Sequence, residues 1–383
     1  MRCENFPDGI ILRFQNFCIF ASVICRFCIH PIIFVMEYNC KQDRLQVKDC
    51  DRRMKLKKFL KDWTLPVSMI IGAVSYLTLA HIPYIIPWKP LMNQMVSVVQ
   101  PLLLFCMLFL TFCKVRPQDL RIKPWHGWIL LLQCGLFGLL SSILIQMPDN
   151  HWRTVVESGM LCLICPTATA AAVVTSKLDG DAGTLTTYTI LINLAVAILV
   201  PAIIPLIHPN PDFTFWRSFL LIICKVFPLL FCPFLLAMLL RWISPHTIEL
   251  LTRMKDAPFY LWAVSLSLAI AVTTKTIVHS NCPLLYEVCI ALISLASCVL
   301  QFSVGRWVGS KYNDKVSAAQ ATGQKNTVFA IWMGYTFLTP ITSLAGGFYS
   351  IWHNVYNSFQ LYRKERKNNL SGKKTKEKLH LSL

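Results

Sequence analysis

The stretch Ala321-Thr-Gly-Gln-Lys-Asn-Thr327 interrupts an apolar segment, residues 316–338, that is long enough to cross a bilayer. Gly323 weakens a helix at that point. A lysine in the middle of a membrane costs roughly 2.5–3.5 kcal/mol on insertion scales, so Lys325 predicts a functional site. The side chains beside it that predict a polar cavity are Gln324, Asn326 and Thr327.

A second interruption, Cys165-Pro-Thr-Ala-Thr-Ala-Ala-Ala172, lies in the apolar segment 154–177. Pro166 breaks the helix there, since proline lacks the N–H that a helix needs. An unwound backbone in lipid persists only where protein or water covers it, so the two breaks together predict a buried site. Either break taken alone is also compatible with a packing kink among small residues.

Apolar segments of about the length that crosses a bilayer recur along the chain, as expected for a multi-spanning all-α membrane protein. Only 15% of the 383 residues are charged and 55% are apolar, whereas soluble domains carry about 25% charged residues. The ten candidate spans are 64–86, 94–113, 125–147, 154–177, 183–207, 216–243, 257–277, 283–305, 316–338 and 340–362. The breaks fall in the fourth span of each group of five, which predicts two inverted five-helix repeats with the broken helices at a midplane site.

The positions of the basic residues predict topology rather than nucleic-acid binding. With both termini inside, the inner segments hold 23 lysines and arginines and the outer segments hold four. This asymmetry follows the positive-inside rule, and it predicts a multi-pass protein of the cell inner membrane with cytoplasmic termini. Lys225, which Pro228 and Pro233 follow, has two interpretations: it faces a kink or it extends towards an interface.

The two ends of the chain are set apart from the ten-span domain at residues 54–362. The apolar stretch within residues 1–53 makes a poor signal peptide, and an eleventh span there would conflict with the charge asymmetry. We therefore expect translation to begin at Met54 or Met36. Residues 363–383 predict a disordered basic cytoplasmic tail that contacts the inner leaflet.

Two motifs resemble those of the bile acid:sodium symporter family. Cys165-Pro-Thr-Ala-Thr-Ala-Ala-Ala-Val-Val…Gly180-Asp is similar to the family's C-P-G-G-T-A-S-N-V-V…G-D. Gly323-Gln-Lys-Asn-Thr, followed by Tyr349-Ser-Ile-Trp-His-Asn, is similar to its G-M-Q-N-S and W-H-N. The resemblance covers about residues 54–362. It implies a ten-helix fold in which a core domain with crossed helices 4 and 9 moves against a smaller panel domain.

This chain departs from the family at the sodium site that the resemblance implies. The family's Ser-Asn pair of span 4 corresponds to Ala171 and Ala172, and one hydroxyl of span 5 corresponds to Leu185. The family's glutamate and glutamine of span 9 correspond to Ala321 and Lys325. Two positions keep a matching oxygen, Thr189 and Gln133. Because sodium needs several oxygen ligands, we expect Lys325 to substitute for the ion.

The resemblance also implies an organic anion as the substrate, and a cationic Lys325 suits one. We expect further polar groups of the site to be Thr169, Asn193, His353 and Asn354. Lys325 has two open roles: it loads and releases a proton during the cycle, or it stays charged as a fixed counter-ion. His353 is a second candidate for proton handling, and a buried structural histidine is the alternative.

The sequence does not favour an enzyme, a cofactor or a metal site. It has no H-E-x-x-H motif, and its histidines are scattered. The prediction is a secondary-active carrier of an organic anion that is independent of sodium. An ordinary sodium-coupled symporter, a channel and a transporter-derived sensor remain as alternatives.

Overall fold

The computed structural model describes residues 64–82, 87, 89–254, 257–280 and 282–381. The predicted extension 1–53 therefore lies outside the described residues. Regular structure within these ranges is helical, and the one β-type pairing in them is an isolated bridge. Residues 65–353 belong to one compact unit, and the residues from 354 onward belong to another.

The helices of the first half match the predicted spans 1 to 5, with span 4 divided in two. In chain order they are α1 (Thr64–His81), α2 (Lys89–Cys113), α3 (Pro124–Gln146), α4 (His151–Ile164), α5 (Ala171–Lys177) and α6 (Ala182–Ile207).

The helices of the second half include two more divided spans. They are α7 (Phe215–Leu230), α8 (Cys232–Ile243), α9 (Pro245–Arg253), α10 (Ala257–His279), α11 (Leu284–Ser310), α12 (Lys315–Gly323), α13 (Thr327–Phe337) and α14 (Ser343–Leu381). Spans 6 and 9 are the divided ones. The amphipathic helix α9 was not predicted.

Local sequence explains where several helices begin and bend. Pro124 occupies the first position of α3, where its missing N–H is not needed. Asp181 caps α6, because its carboxylate accepts the Gly183 N–H at 2.8 Å and the Thr184 N–H at 3.2 Å. The prolines predicted to kink span 6 flank the junction of α7 and α8, where the chain bends by 45°.

Five helices of the described chain are long and apolar enough to cross a membrane, and the bent pair α7–α8 makes a sixth if it counts as one span. The five are Pro90–Cys113, Pro124–Gln146, Ala182–Ile207, Tyr260–His279 and Leu284–Ser310. Spans 4 and 9 do not qualify as continuous helices because both are interrupted. The chain is thus an all-helical protein with several membrane-capable helices, and the ten-span arrangement stays a prediction.

Large apolar side chains lie on the outside of these helices as well as in the core. Trp125, Phe137 and Phe329 are fully buried. Leu131 on α3 and Trp216 on α7 are each 69% exposed. Outward-facing apolar side chains in this number suit a surface that lipid covers.

The last helix is longer than the predicted span 10. It runs from Ser343 to Leu381 and so includes most of the segment for which the sequence predicts a disordered tail. No proline follows Pro340, and lysine, glutamate and leucine are good helix formers, so nothing local ends the helix at residue 362.

Candidate functional site

The two broken helices cross at their breaks. Thr167, between α4 and α5, and Lys325, between α12 and α13, form an antiparallel bridge. The Ala168 N–H donates to the Gln324 carbonyl at 2.8 Å, and the Asn326 N–H donates to the Pro166 carbonyl at 2.8 Å. The unwound segments therefore satisfy part of each other's backbone hydrogen bonding, as apolar surroundings require.

Each break has an identifiable local cause. Pro166 disfavours helical backbone at Cys165, whose φ of −50° and ψ of 132° end α4. Gly323 ends α12 against the ring of Phe302, and a Cβ at that glycine would overlap the ring. Asn326 then starts α13, because its side chain accepts the Phe329 N–H at 3.2 Å.

Lys325 is buried at this crossing, with 1% of its surface exposed. Its Nζ donates to the carbonyl of Leu163, in the last turn of α4, at 3.3 Å. The C-terminal carbonyls of a helix carry partial negative charge, so this end of α4 favours a cation. Among the described residues no carboxylate forms an ion pair with Lys325.

Gln133 supports the break of α4 from one side. Its Nε2 donates to the Cys165 carbonyl at 3.4 Å, and its Oε1 accepts from the Tyr188 hydroxyl at 2.8 Å. The predicted site residue Gln133 thus lies at the crossing, where Tyr188 of α6 orients it.

A second amide and phenol support the crossing from the other half of the chain. Gln301 of α11 donates from Nε2 to the Cys162 carbonyl at 3.2 Å and to the Tyr349 hydroxyl at 3.1 Å. The Tyr349 hydroxyl donates to the Gly323 carbonyl at 2.9 Å. Neither residue was predicted to belong to the site, although a glutamine in spans 3 and 8 and a tyrosine in spans 5 and 10 repeat between the two predicted halves.

Four of the predicted polar residues are buried with unsatisfied atoms. Within the described part of the chain, no hydrogen-bond partner is present for either polar atom of the Asn193 side chain, for Gln324 Oε1, for Asn326 Nδ2 or for His353 Nδ1. Leaving such groups unpaired costs free energy, which suits a site whose polar partner is mobile or external.

The remaining predicted residues have separate places in the fold. His353 is buried with Nδ1 unpartnered, and its ring centre lies 5.7 Å from that of Tyr349. Thr327 is the first residue of α13, and Ala171 is the first of α5. Asn354 lies on α14 in the second compact unit.

A small pocket brings together residues from the sodium positions that the resemblance implies. It contains Thr169 and Ala172 from the break of span 4, together with Thr189 of α6. The Thr189 hydroxyl donates to the Leu185 carbonyl at 3.0 Å, which leaves the lone pairs of its oxygen free to accept. The other residues of the wall are Thr111, Phe112, Ala168, Leu185 and Thr186.

Glu157 of α4 lies near one end of the predicted span 4. It is fully buried. Its carboxylate lies 2.9 Å from His208 Nε2, and it accepts from the Thr342 hydroxyl at 2.7 Å and from the Thr339 N–H at 3.1 Å. Segments far away in the chain bury this residue, so its position near a span end did not reveal its surroundings.

Asp314 joins three helices on the other side of the predicted membrane. Its carboxylate accepts from Lys123 Nζ at 2.8 Å, Trp125 Nε1 at 3.1 Å and the Thr184 hydroxyl at 2.9 Å. Burial raises the pKa of Asp314, but the Lys123 ammonium and the hydroxyl donors outweigh burial and hold the pKa below its ordinary value of 3.8.

No protein-family model matches this chain, and no curated protein matches it. The resemblance to the bile acid:sodium symporter family therefore stays a prediction from the two motifs, and the geometry of the crossing supplies the independent observations on function.

Proposed function

We propose that this protein is a secondary-active membrane transporter that carries a small organic anion by alternating access, with Lys325 in place of a coupling sodium ion. The observation that carries the proposal is the crossing of two broken helices with a buried lysine in it. Interrupted helices that meet at the membrane midplane are a recurrent way for transporters to build a binding site from helix ends and unwound backbone.

The donor set around the crossing favours an ammonium over sodium. A hard cation needs several free oxygen ligands. The apolar residues Ala171, Ala172, Leu185 and Ala321 occupy the implied ligand positions. The two retained side chains supply only two oxygens, Thr189 Oγ1, whose hydroxyl donates within α6, and Gln133 Oε1, which also accepts from Tyr188. The residues present therefore do not fit a sodium site.

The ammonium of Lys325 lies where helix geometry offers a place for positive charge. It donates to the Leu163 carbonyl at the end of α4, and α13 begins two residues after it. The N-terminus of α13 adds partial positive charge beside the ammonium, and the two together favour an anionic ligand at the crossing. Proton exchange at Lys325 and a permanently charged Lys325 are the two versions of this mechanism.

Uptake by proteoliposomes tests the proposal. The probes are a radiolabelled steroid sulfate, estrone sulfate, and a short carboxylate, pyruvate, each with sodium or choline outside. We expect uptake of at least one anion by the wild type in both salts, and its loss in Lys325→Ala. Lys311→Gln is the matched control, because Lys311 lies on the protein surface away from the crossing.

Other outcomes identify the alternative functions. Uptake only in sodium indicates an ordinary sodium symporter. Equilibration at the external concentration under a proton gradient, with the membrane potential held at zero, excludes the proton-coupled version and leaves an uncoupled carrier or a channel. Binding of the anion without any flux indicates a sensor. Wild-type uptake that Lys325→Ala leaves unchanged contradicts the role of Lys325.

A further inference from the structure

Two lysines from different helices converge on the C-terminal end of α13. Lys225 of α7 has its Nζ 5.8 Å from the centre of the Phe337 ring. Lys275 of α10 has its Nζ 5.9 Å from the centre of the Tyr335 ring. Both rings belong to the last turn of α13, but they stand two residues apart and point to different sides of the helix. The two ammonium groups therefore flank the end of the broken helix that is remote from Lys325.

The charges of these lysines are not neutralised by carboxylates. Lys275 Nζ donates to Asn93 Oδ1 at 2.9 Å and to the Tyr335 hydroxyl at 3.4 Å, and both acceptors are uncharged. Within the described ranges neither lysine forms an ion pair. The carbonyls at the end of α13 attract cations but supply only a partial charge. A net positive charge therefore remains here.

Further polar groups surround the two lysines. The Tyr76 hydroxyl of α1 lies 3.2 Å from Nδ1 of His279, one turn after Lys275 on α10. Tyr335 is 38% exposed, and Lys225 is exposed. In the predicted topology, the ends of spans 7 and 9 and the start of span 2 lie at the outer surface, and the contacts of Lys275 join those ends. Lys225 lies in the outer half of span 6.

We propose that Lys225 and Lys275, on two sides of the end of α13, form an outer anion site whose positive potential attracts the charged group of the organic anion before the anion reaches the crossing. The exposed ring of Tyr335 and the half-buried ring of Phe337 lie beside this charge and suit the apolar body of such a molecule. Cations of one sign at the mouth of a cleft raise the local concentration of anions and speed their association. This inference rests on the proposed function.

The local potential at this site can be measured without any transport substrate. Thr336, exposed between the two rings, is changed to cysteine in a Cys224→Ser background, since Cys224 is itself exposed. The rates of modification by a sulfonate-bearing and a trimethylammonium-bearing methanethiosulfonate are compared, with the parent chain that keeps Thr336 as the blank.

We expect the anionic reagent to react faster, and the ratio of the two rates to fall about tenfold when Lys225→Gln and Lys275→Gln are combined, at the lower end of electrostatic effects on association. The double variant Lys225→Arg and Lys275→Arg keeps both charges and should keep the ratio. A ratio that does not change in the glutamine variant overturns the site.

Competition distinguishes a soluble anion from a lipid headgroup as the occupant. In phosphatidylcholine vesicles, we expect estrone sulfate to slow modification by the anionic reagent in the wild type but not in the glutamine variant. Slowing by phosphatidylglycerol and not by estrone sulfate assigns the lysines to lipid and overturns the inference.

The flux assay separates this inference from the proposed function. If the wild type transports estrone sulfate, the glutamine variant should raise the half-saturating concentration several-fold and retain the maximal rate. Unchanged kinetics overturn the outer site and leave the transporter standing. If the wild type transports neither estrone sulfate nor pyruvate, the proposed function has failed for these anions. The rates at which the two reagents modify the cysteine at position 336 still decide whether the lysines attract anions.

Discussion

Lys325 and Leu163 are joined by a hydrogen bond of 3.3 Å between the lysine ammonium and the last-turn carbonyl of α4, although 161 residues separate them in the sequence. The bond places a positive charge at the C-terminal end of one half-helix and at the crossing of two broken helices. Its consequences for ions, stability and pH can be tested directly.

Lys325→Met is expected to abolish anion uptake without lowering the unfolding temperature. Methionine fills a similar volume without burying a charge, and a charge that only one carbonyl compensates is costly to bury. Loss of function with equal or greater stability is the usual pattern at a site that is strained for function. Differential scanning fluorimetry and uptake on the same preparation test this, and a fall of several degrees in the variant would assign Lys325 a structural role instead.

The wild type is expected to have the same unfolding temperature in sodium chloride as in choline chloride. An ion that binds only the folded state at one hundred times its Kd would add about 2.7 kcal/mol to the free energy of unfolding. The comparison uses chloride salts at equal ionic strength. A sodium-specific increase would show that the count of oxygen ligands is wrong.

Combining Ala321→Glu with Lys325→Gln is expected to create sodium-dependent stability. The pair restores a carboxylate and an amide oxygen at the two positions of span 9 where the family resemblance implies them, and it removes the competing ammonium. The readout is a sodium-specific rise in unfolding temperature that the wild type lacks. Lys325→Gln by itself is the control, and we expect it to respond less because no carboxylate is supplied.

Gly323→Ala is expected to destabilise the protein by about 1–3 kcal/mol, since its Cβ would overlap the Phe302 ring in a closely packed crossing. Gly138→Ala in α3 is the matched control, because open space surrounds that position. Alanine in a helix interior stabilises by about 0.5–1 kcal/mol relative to glycine, so the control should be neutral or slightly stabilising. Equal effects of the two substitutions on the unfolding temperature would contradict close packing at Gly323.

Acid is expected to weaken the cluster around Asp314. A carboxyl whose pKa is lower in the folded state contributes stability above its unfolded pKa, and this stability is lost as the pH falls through the folded pKa. The window therefore begins near pH 4 and extends below the ordinary value of 3.8. Unfolding temperatures between pH 7 and pH 3 should fall less steeply for Asp314→Asn than for the wild type.

Asp119→Asn provides the comparison for that measurement. Asp119 pairs with Arg116 at 3.1 Å, but the two side chains are 48% and 68% exposed, so solvent screens the pair. We expect the unfolding temperature of Asp119→Asn to change with pH as that of the wild type does. An Asp314→Asn profile that also follows the wild type would show that this carboxyl does not control acid stability.

Much of the fold could be predicted because the bilayer imposes simple rules on composition. Apolar length marked the membrane-capable helices, and proline and glycine marked the breaks at Pro166 and Gly323. These signals are local, since a proline removes an N–H and a glycine removes a side chain whatever lies nearby. Even here the bend in span 6 divides a predicted helix, and α14 extends beyond residue 362.

The polar partners at the crossing could not be predicted in the same way. Lys325 stood out as a charge in an apolar segment, but its partner is a backbone carbonyl, which every residue possesses. Gln301 and Tyr349 were overlooked, although both are polar residues in apolar spans, because one buried polar residue does not identify another that lies 48 residues away.

The sequence by itself determined an all-helical membrane protein with two interrupted segments and one lysine in an interruption. Only the tertiary structure decided that Thr167 pairs with Lys325, that Glu157 is buried and that Lys225 and Lys275 face the end of one helix. The physical reason is that helix formation and solvation depend on nearby residues, whereas buried hydrogen bonds and unpaired charges depend on which distant segments meet.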